Sequence, residues 1–129
     1  MNTNEHKVSD VEAVAHSSIG AAMEVSRVLG VGFLEKVYQQ ALARELIRRG
    51  HEVVIEAPLK VQYKGEVVGH YFADLLVDNC LVIELKCAEA LGKEHLAQCI
   101  NYLRATGLHL ALIFNFQKPK LEFKRVIYG

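Results

Sequence analysis

The chain has 129 residues, of which 51% are hydrophobic and 23% charged, a composition typical of one globular domain with a buried core. Its 15 basic and 15 acidic side chains give a formal net charge of zero, so it lacks the overall basic character of tight non-specific DNA-binding proteins. Three cysteines without a CxxC pair favour reduced thiols over a disulfide framework or a structural zinc site. No apolar run approaches the roughly 18 residues of a membrane span. The polar N-terminus lacks a signal-peptide core, so we expect a cytoplasmic protein.

Two helices are predicted in the first part of the chain, after a loose tail at residues 1–8. Ser9 and Glu12 fit a capping box, and apolar residues then recur at helical spacing, which predicts a helix over residues 10–29. A second apolar stripe predicts a helix over residues 33–49. Glycines follow both segments, as is common where helices end.

The rest of the chain predicts three consecutive strands, a third helix and two final strands. The strands are expected at 53–55 continuing as 59–63, at 67–77 and at 81–86, the helix at 89–106, and the last strands at 108–116 and 121–127. Pro58 suits an edge strand or a break, and Asp78-Asn79 has the composition of a tight turn. The element order is therefore ααβββαββ, in a single α/β domain that covers residues 1–129.

Three charged residues interrupt an otherwise apolar stretch, YFADLLVDNCLVIELK, at residues 71–86. Glu84 and Lys86 are two apart in a predicted strand and share a face, and Asp74 lies across from them if the two strands pair around the turn. Burying such charges is costly unless they are paired or bind a metal. Two carboxylates on a rigid sheet suit Mg²⁺ or Mn²⁺, and a neighbouring lysine can orient water or neutralise charge on a phosphate. The alternative is that these charges form ion pairs or cap strand ends.

Residues outside this stretch offer further candidates. Glu35 stands early in a predicted helix, where the helix dipole favours a carboxylate whatever its function. Tyr38, one turn later, fits a core position as well as a site position. Gln98 and Tyr102 are four apart and share a face of the third predicted helix, where Tyr102 can equally pack between helix and sheet with Gln98 at its rim. The absence of HExxH, GxSxG and glycine-rich phosphate-loop patterns argues against zinc hydrolases, serine hydrolases and P-loop enzymes.

Two of these motifs resemble those of a known protein family. Asp74 followed by ELK at residues 84–86 is similar to the D…E-x-K signature of the PD-(D/E)XK nuclease superfamily. The segment GFLEKVY at residues 32–38 is similar to the signature of the GxxExxY proteins, a small prokaryotic family placed within that superfamily. The resemblance covers nearly the whole chain, although Ala73 stands where the superfamily motif has a proline before the aspartate.

The resemblance implies a restriction-endonuclease-like mixed sheet flanked by helices, with a metal site where the central strands separate. It implies that Lys86 is the catalytic lysine, acting together with Asp74 and Glu84. The metal ligands that it implies are Asp74, Glu84, Glu35 and the backbone carbonyl of Leu85. On the third predicted helix, Gln98 and Tyr102 are similar to the Q-x-x-x-Y motif of the exonuclease-like branch, which implies contacts with nucleic acid.

We therefore expect a Mg²⁺- or Mn²⁺-dependent phosphodiesterase that acts on nucleic acid, with DNA favoured over RNA. Two alternatives stay open: a non-catalytic nucleic-acid-binding or protein-interaction module that keeps the fold, and a structural role in which the charges form an ion-pair cluster. Apolar residues at 108–116 and a predicted edge strand at 121–127 favour a homodimer. No membrane partner is expected.

Overall fold

The structure is a computed structural model that describes the backbone of residues 3–129 and the side chains of residues 11–129. Within these residues, helices and strands follow one another in the predicted order, ααβββαββ. The elements are α1 (Thr3–Leu29), α2 (Glu35–Arg48), β1 (Val53–Tyr63), β2 (Glu66–Val77), β3 (Leu81–Lys86), α3 (Lys93–Thr106), β4 (Leu110–Asn115) and β5 (Glu122–Ile127). The order of the elements is therefore as the sequence predicted.

Helix α1 is longer than the sequence pattern predicted. It begins at Thr3 rather than near residue 10, because residues 3–9 contain no Gly or Pro and extending a helix that has already formed costs little free energy. Ser9 consequently lies within the helix instead of capping it. The first two residues of the expected loose tail lie outside the described residues.

Strand β1 and helix α3 also depart from their expected boundaries. Strand β1 runs through Pro58 without a break. It can do so because it lies at the edge of the sheet, where a residue without an N–H group is tolerated. Helix α3 begins at Lys93 rather than at residue 89, so the loop that follows β3 is longer than expected. Neither difference changes which elements lie side by side.

The five strands form one mixed sheet in the order β1-β2-β3-β4-β5. Strands β3 and β4 are parallel, with α3 crossing between them, whereas the other neighbours are antiparallel. The β1–β2 hairpin is much longer than its contact with β3, because β2 pairs with β3 only over residues 75–77. The β1–β2 hairpin therefore extends beyond the residues of β2 that pair with β3. The mixed sheet expected from the sequence is confirmed.

Helices cover both faces of the sheet. Helices α1 and α2 pack against one face, where β3 contributes Leu81, Ile83 and Leu85. Helix α3 packs against the other face, where Val82 and Ile113 lie beneath it. Because successive strand residues point to opposite faces, Glu84 and Lys86 lie on the same side as Val82, which is the side of α3.

Strand β4 lies inside the domain and is buried at every position. Most of the apolar segment 108–116 therefore packs within the chain as a buried strand, and a homodimer contact through this segment stays a prediction. Strand β5 does lie at an edge of the sheet, and Ile127 on it is exposed. Within residues 3–129, no helix is long and apolar enough to cross a membrane, and the three cysteines, which all fall in this range, form no disulfide.

The turn between β2 and β3 determines how these two strands meet. Asp78 and Asn79 have φ angles of 50° and 56°, as the two central residues of a type I′ turn require, and the Cys80 N–H donates to the Val77 carbonyl at 3.1 Å. The Asp78 carboxylate accepts a hydrogen bond from the Glu52 N–H at 2.8 Å and lies 2.6 Å from Nδ1 of His51. The His51 Nε2 lies 2.8 Å from Oγ of Ser17 on α1. This chain of contacts ties the turn to the first helix.

Replacement of Asn79 tests the geometry of this turn. We expect Asn79→Ala to be less stable than Asn79→Gly by about 1 kcal/mol, because a β-carbon is disfavoured in the left-handed region and glycine is not. Urea unfolding followed by circular dichroism would measure the difference. Equal stability of the two variants would contradict the positive φ at this position.

Candidate active site

The candidate site lies where β2 and β3 separate. Counted from the turn that joins them, β2 and β3 pair as far as Leu75 and Ile83. Farther from the turn, β2 pairs with β1 alone and β3 pairs with β4. Asp74 and Glu84 are the next residues on the two strands, so they face each other where the strands part. Lys86 follows two residues after Glu84, at the end of β3. The structure thus brings together the three charged residues that the sequence singled out.

Asp74 is held on several sides. Its Oδ2 accepts a hydrogen bond from the Leu85 N–H at 2.7 Å, and its backbone carbonyl accepts one from Nε2 of Gln39 at 3.2 Å. Across from it on β1, Glu56 has a φ of 54°, and the β1–β2 ladder skips this pair of residues. At Asp74, a side-chain hydrogen bond from Gln39 is therefore found where regular β1–β2 pairing is interrupted.

Glu84 is the strongly perturbed carboxyl group of the site. It is 8% exposed. Burial raises the pKa of Glu84 well above its ordinary value, the adjacent Asp74 carboxylate raises it further, and Lys86 offsets only part of this increase. Two carboxylates this close cannot both be ionised cheaply without a proton or a cation between them. The site therefore carries an unfavourable charge that a positive ion would relieve.

Neutral side chains surround Glu84 on the side of α3. Burial, followed by the charge of Glu84, raises the pKa of Tyr71 and of Cys99 to about 12. The same two causes raise the pKa of Tyr102. All three groups accordingly stay protonated at neutral pH. The positive charge beside Glu84 comes from Lys86, which is half-buried on the same face of β3.

Glu35 lies at the first residue of α2 and is exposed. Its Oε1 accepts a hydrogen bond from the Cys87 N–H at 3.1 Å, directly after Lys86 in the chain. Among the side chains of residues 11–129, no three His, Cys, Asp or Glu residues converge as a metal site, so Glu35 does not join Asp74 and Glu84 here. Metal ligation by Glu35 and by the Leu85 carbonyl stays a prediction.

Tyr38 is a core residue. It is fully buried, and its ring stacks on Phe116 with 4.6 Å between the centroids. Its hydroxyl donates to the Gly30 carbonyl at 2.7 Å and accepts a hydrogen bond from the Phe33 N–H at 3.3 Å. Tyr38 therefore fixes the loop that leads into α2, and through that loop the start of the helix at Glu35.

The two candidate residues on α3 lie in different environments. Tyr102 is 2% exposed, and its hydroxyl donates to the Ala57 carbonyl at 3.3 Å. Gln98 is exposed. Of the two interpretations of this pair, the structure matches the one in which Tyr102 packs between helix and sheet with Gln98 at the rim. A contact between these residues and nucleic acid stays a prediction.

Gln39 is a site residue that the sequence analysis missed. It is 4% exposed, its Nε2 binds the Asp74 carbonyl, and its Oε1 is buried without a hydrogen-bond partner among the described residues. A signal for it is present in the sequence, because Gln39 is a polar residue within the buried face of α2, between Tyr38 and Leu42. The ion pair between Lys36 and Glu56, which joins α2 to β1, was also missed.

The side chains present fit a hard divalent cation such as Mg²⁺ or Mn²⁺. Asp74 and Glu84 offer carboxylate oxygens, the ligands that these ions prefer, and their mutual repulsion favours a positive ion between them. With two carboxylates, water would have to complete the coordination, as is usual for Mg²⁺.

A second polar cluster lies at the other end of β3. A cavity of about 440 Å³ is lined there by residues that include Gly50, His51 and Asp78, and its lining contains neither Asp74 nor Glu84. Ser17, His51 and Asp78 have the hydrogen-bonded order of a hydrolase triad. Ser17, however, lies in the middle of α1, where the backbone N–H groups are used within the helix and cannot form an oxyanion hole. The hydrogen bonds among Ser17, His51 and Asp78 therefore stabilise the packing of the β2–β3 turn against α1.

Comparison with known proteins defines the class. The model of the PD-(D/E)XK nuclease superfamily matches residues 12–126. The chain therefore belongs to the PD-(D/E)XK nuclease superfamily, in agreement with its fold and with Asp74, Glu84 and Lys86 at the separation of two strands. Among proteins with curated functions, none matches this chain in sequence.

Two solved structures share the fold. The crystal structure of SSO0001 superposes with a TM-score of 0.57 at 17% identity, covering 74% of this chain but 50% of SSO0001, so the chain spans about half the length of that protein. An alkaline exonuclease from Laribacter hongkongensis, LHK-Exo, superposes with a TM-score of 0.51 at 15% identity, covering 84% of this chain and 76% of the exonuclease. Both similarities concern the fold.

The raised pKa of Glu84 predicts how the metal-free protein responds to pH. Folded Glu84 holds its proton to higher pH than the unfolded side chain does, so its contribution to stability is complete at low pH and is lost as pH rises. We expect Glu84→Gln to match the parent protein near pH 5 and to become more stable than it toward pH 8, by at most about 1.4 kcal/mol per pH unit. Thermal unfolding in the presence of a chelator would measure the difference.

Glu122 offers a control because its pKa is shifted in the opposite direction to that of Glu84. A hydrogen bond from Asn115 lowers the pKa of Glu122, so its contribution to stability is present at neutral pH and is lost as pH falls. Glu122→Gln should therefore be less stable than the parent at pH 7, with a gap that narrows in acid. If the stability gap between Glu84→Gln and the parent does not change with pH, Glu84 is not buried beside a second charge as described.

Proposed function

We propose that this protein is a Mg²⁺- or Mn²⁺-dependent nuclease that hydrolyses phosphodiester bonds in nucleic acid, with DNA as its substrate. The observation that carries the proposal is the pairing of a buried carboxyl, Glu84, with Asp74, with Lys86 on the same face. A fold alone hosts many functions, so the proposal rests on this site. Membership of the superfamily supports it independently.

Each residue of the site has a distinct role in the proposal. The carboxylates of Asp74 and Glu84 bind the cation and fix its place at the separation of the strands. The bound cation would stabilise negative charge on the phosphate and acidify an attacking water. Lys86 orients that water or neutralises charge that develops on the phosphate oxygens, in surroundings where Tyr71 and Tyr102 exclude solvent.

A nucleic-acid substrate is proposed because a protein with a similar fold is described as an alkaline exonuclease and because the site matches phosphodiester chemistry, and DNA is the substrate to test first. A net charge of zero indicates that substrate binding depends on the site and its rim, for which Gln98 is proposed, rather than on a broad basic surface. The segment at residues 32–38 further supports placement in the GxxExxY family. A homodimer is proposed through the exposed edge strand β5.

Two substitutions separate the proposed roles. We expect Asp74→Ala to lose both Mn²⁺ binding and cleavage of DNA oligonucleotides, because it removes a ligand. Lys86→Met should still bind Mn²⁺ but cleave at least about 100-fold more slowly, as expected when a residue that handles protons or transition-state charge is removed. Isothermal titration calorimetry with Mn²⁺ and gel assays on labelled single- and double-stranded DNA and RNA would give both readings.

Lys64→Met is the matched control, because this lysine lies at the tip of the β1–β2 hairpin, where its ammonium sits 5.4 Å from the centre of the Tyr63 ring. It should cleave saturating substrate as fast as the parent protein. Cleavage that survives in both Asp74→Ala and Lys86→Met would refute the proposed mechanism. Nucleic-acid binding without cleavage or Mn²⁺ binding would favour the non-catalytic module.

A further inference from the structure

The first turns of α2 make contacts on both sides of the strand separation. Glu35 accepts a hydrogen bond from the Cys87 N–H, just beyond the end of β3. Lys36 forms an ion pair with Glu56 on β1. Gln39, one turn after Glu35, donates to the backbone carbonyl of Asp74 on β2. The N-terminal end of α2 therefore contacts β1, β2 and the residue after β3, all close to the candidate active site.

The contact made by Gln39 differs from the other two because it is buried. Glu35 and Lys36 are exposed, and exposed ion pairs contribute little to stability. Gln39 is 4% exposed, and one of its two polar atoms, Oε1, has no hydrogen-bond partner among the described residues. A buried polar atom without a partner costs free energy, and an apolar side chain of the same shape would avoid that cost. The benefit of an amide at this position therefore lies in the hydrogen bond to Asp74.

The backbone around Asp74 explains why such a bond is needed. The β1–β2 ladder pairs Ile55 with Leu75 and Ala57 with Ala73, but it skips Asp74, because Glu56 opposite has a φ of 54°. The pairing with β3 has already ended at Leu75. The register therefore gives Asp74 no paired residue on either neighbouring strand, and the amide of Gln39 donates to its carbonyl.

We propose that Gln39 is a positioning residue that sets the place of the Asp74 carboxylate in the site. By fixing the backbone of Asp74, it keeps Oδ2 of Asp74 at 2.7 Å from the Leu85 N–H and beside Glu84. The expected effect on metal binding rests on the proposed function, whereas the effect on the geometry of Asp74 does not. Helix α2 would then act on the site through the backbone of β2 rather than by touching substrate.

The test compares Gln39→Met with Gln40→Met. Both substitutions remove an amide from α2 and keep the length of the side chain. Among the described residues, however, the Gln40 side chain accepts its one hydrogen bond from Arg44 on the same helix, at 2.8 Å. Native-state hydrogen exchange of the metal-free proteins reports the Leu85 amide, which is bonded to Asp74 Oδ2. Core amides of β4 report global unfolding and correct for any change in overall stability.

In Gln39→Met, the Leu85 amide should exchange faster by on the order of tenfold relative to the β4 amides, as expected for loss of one hydrogen bond that holds its acceptor. Asp74→Ala removes the acceptor of the Leu85 N–H and therefore gives the largest increase in the exchange rate of that amide. Gln40→Met should leave the ratio of the Leu85 exchange rate to the β4 exchange rates unchanged. If the nuclease proposal also holds, Gln39→Met binds Mn²⁺ about 10- to 100-fold more weakly, as is usual when a residue that orients a metal ligand is lost.

The outcomes separate the two proposals. Unchanged exchange of the Leu85 amide in Gln39→Met overturns the positioning role, whatever the metal data show. Failure of the parent protein to bind Mn²⁺ overturns the proposed function but leaves the exchange result to decide the role of Gln39. Thermal unfolding of Gln39→Met should show only a modest loss of stability, because removal of the unpartnered Oε1 offsets part of the cost of leaving the Asp74 carbonyl without its donor. If that variant does not fold, Gln39→Leu replaces it in the same comparison.

Discussion

The structure depends on one unfavourable contact, the proximity of two carboxyl groups where β2 and β3 part. Nothing in the surroundings neutralises the pair completely, since Lys86 lowers the pKa of Glu84 only in part and burial raises it. The fold tolerates this because the rest of the sheet is strongly apolar, with β4 buried at every position. Hydrophobic burial on both faces therefore offsets the local free-energy cost of placing two carboxyl groups together, and strongly shifted pKa values of this kind are common at functional sites.

Helix α2 shows how a motif can act without contributing the reacting groups. Tyr38 is buried against Phe116 and fastens the loop before the helix through Gly30 and Phe33. The start of the helix is thereby fixed, and the residues around Tyr38 reach the strands that carry the carboxylates. The segment at residues 32–38, which resembles a family signature, thus makes structural contacts with the strands around the site through Glu35 and Lys36.

Much of the fold was predictable from the sequence because its signals are local. The apolar alternation, the turn at Asp78-Asn79 and the glycines after two helices gave the element order, and a charge pattern of period two placed Glu84 and Lys86 on one face. What escaped prediction depends on distant pairing. The contact of Gln39 with the Asp74 carbonyl exists only because the ladder skips that residue, and no pattern within α2 reveals an irregularity in β1.

The position of β4 within the sheet and the length of α1 belong to the same category. An apolar strand at residues 108–116 is equally consistent with a central position or with an exposed surface until its neighbours are known. It lies inside the sheet because β3 and β5 pair with its two edges. Helix α1 lacked a strong stop signal on its N-terminal side, so the apparent cap at Ser9 was overridden by the ease of extending a helix.

The irregularity at Glu56 has a consequence for self-association. Strand β1 lies at an edge of the sheet, and unpaired strand edges are templates for the addition of strands from other chains. Here the left-handed residue Glu56, the proline at Pro58 and the register shift between Val61 and Gln62 interrupt the edge at three places. An incoming strand would find no long run of regular donors and acceptors. The distortion beside Asp74 thus also protects this end of the sheet against aggregation.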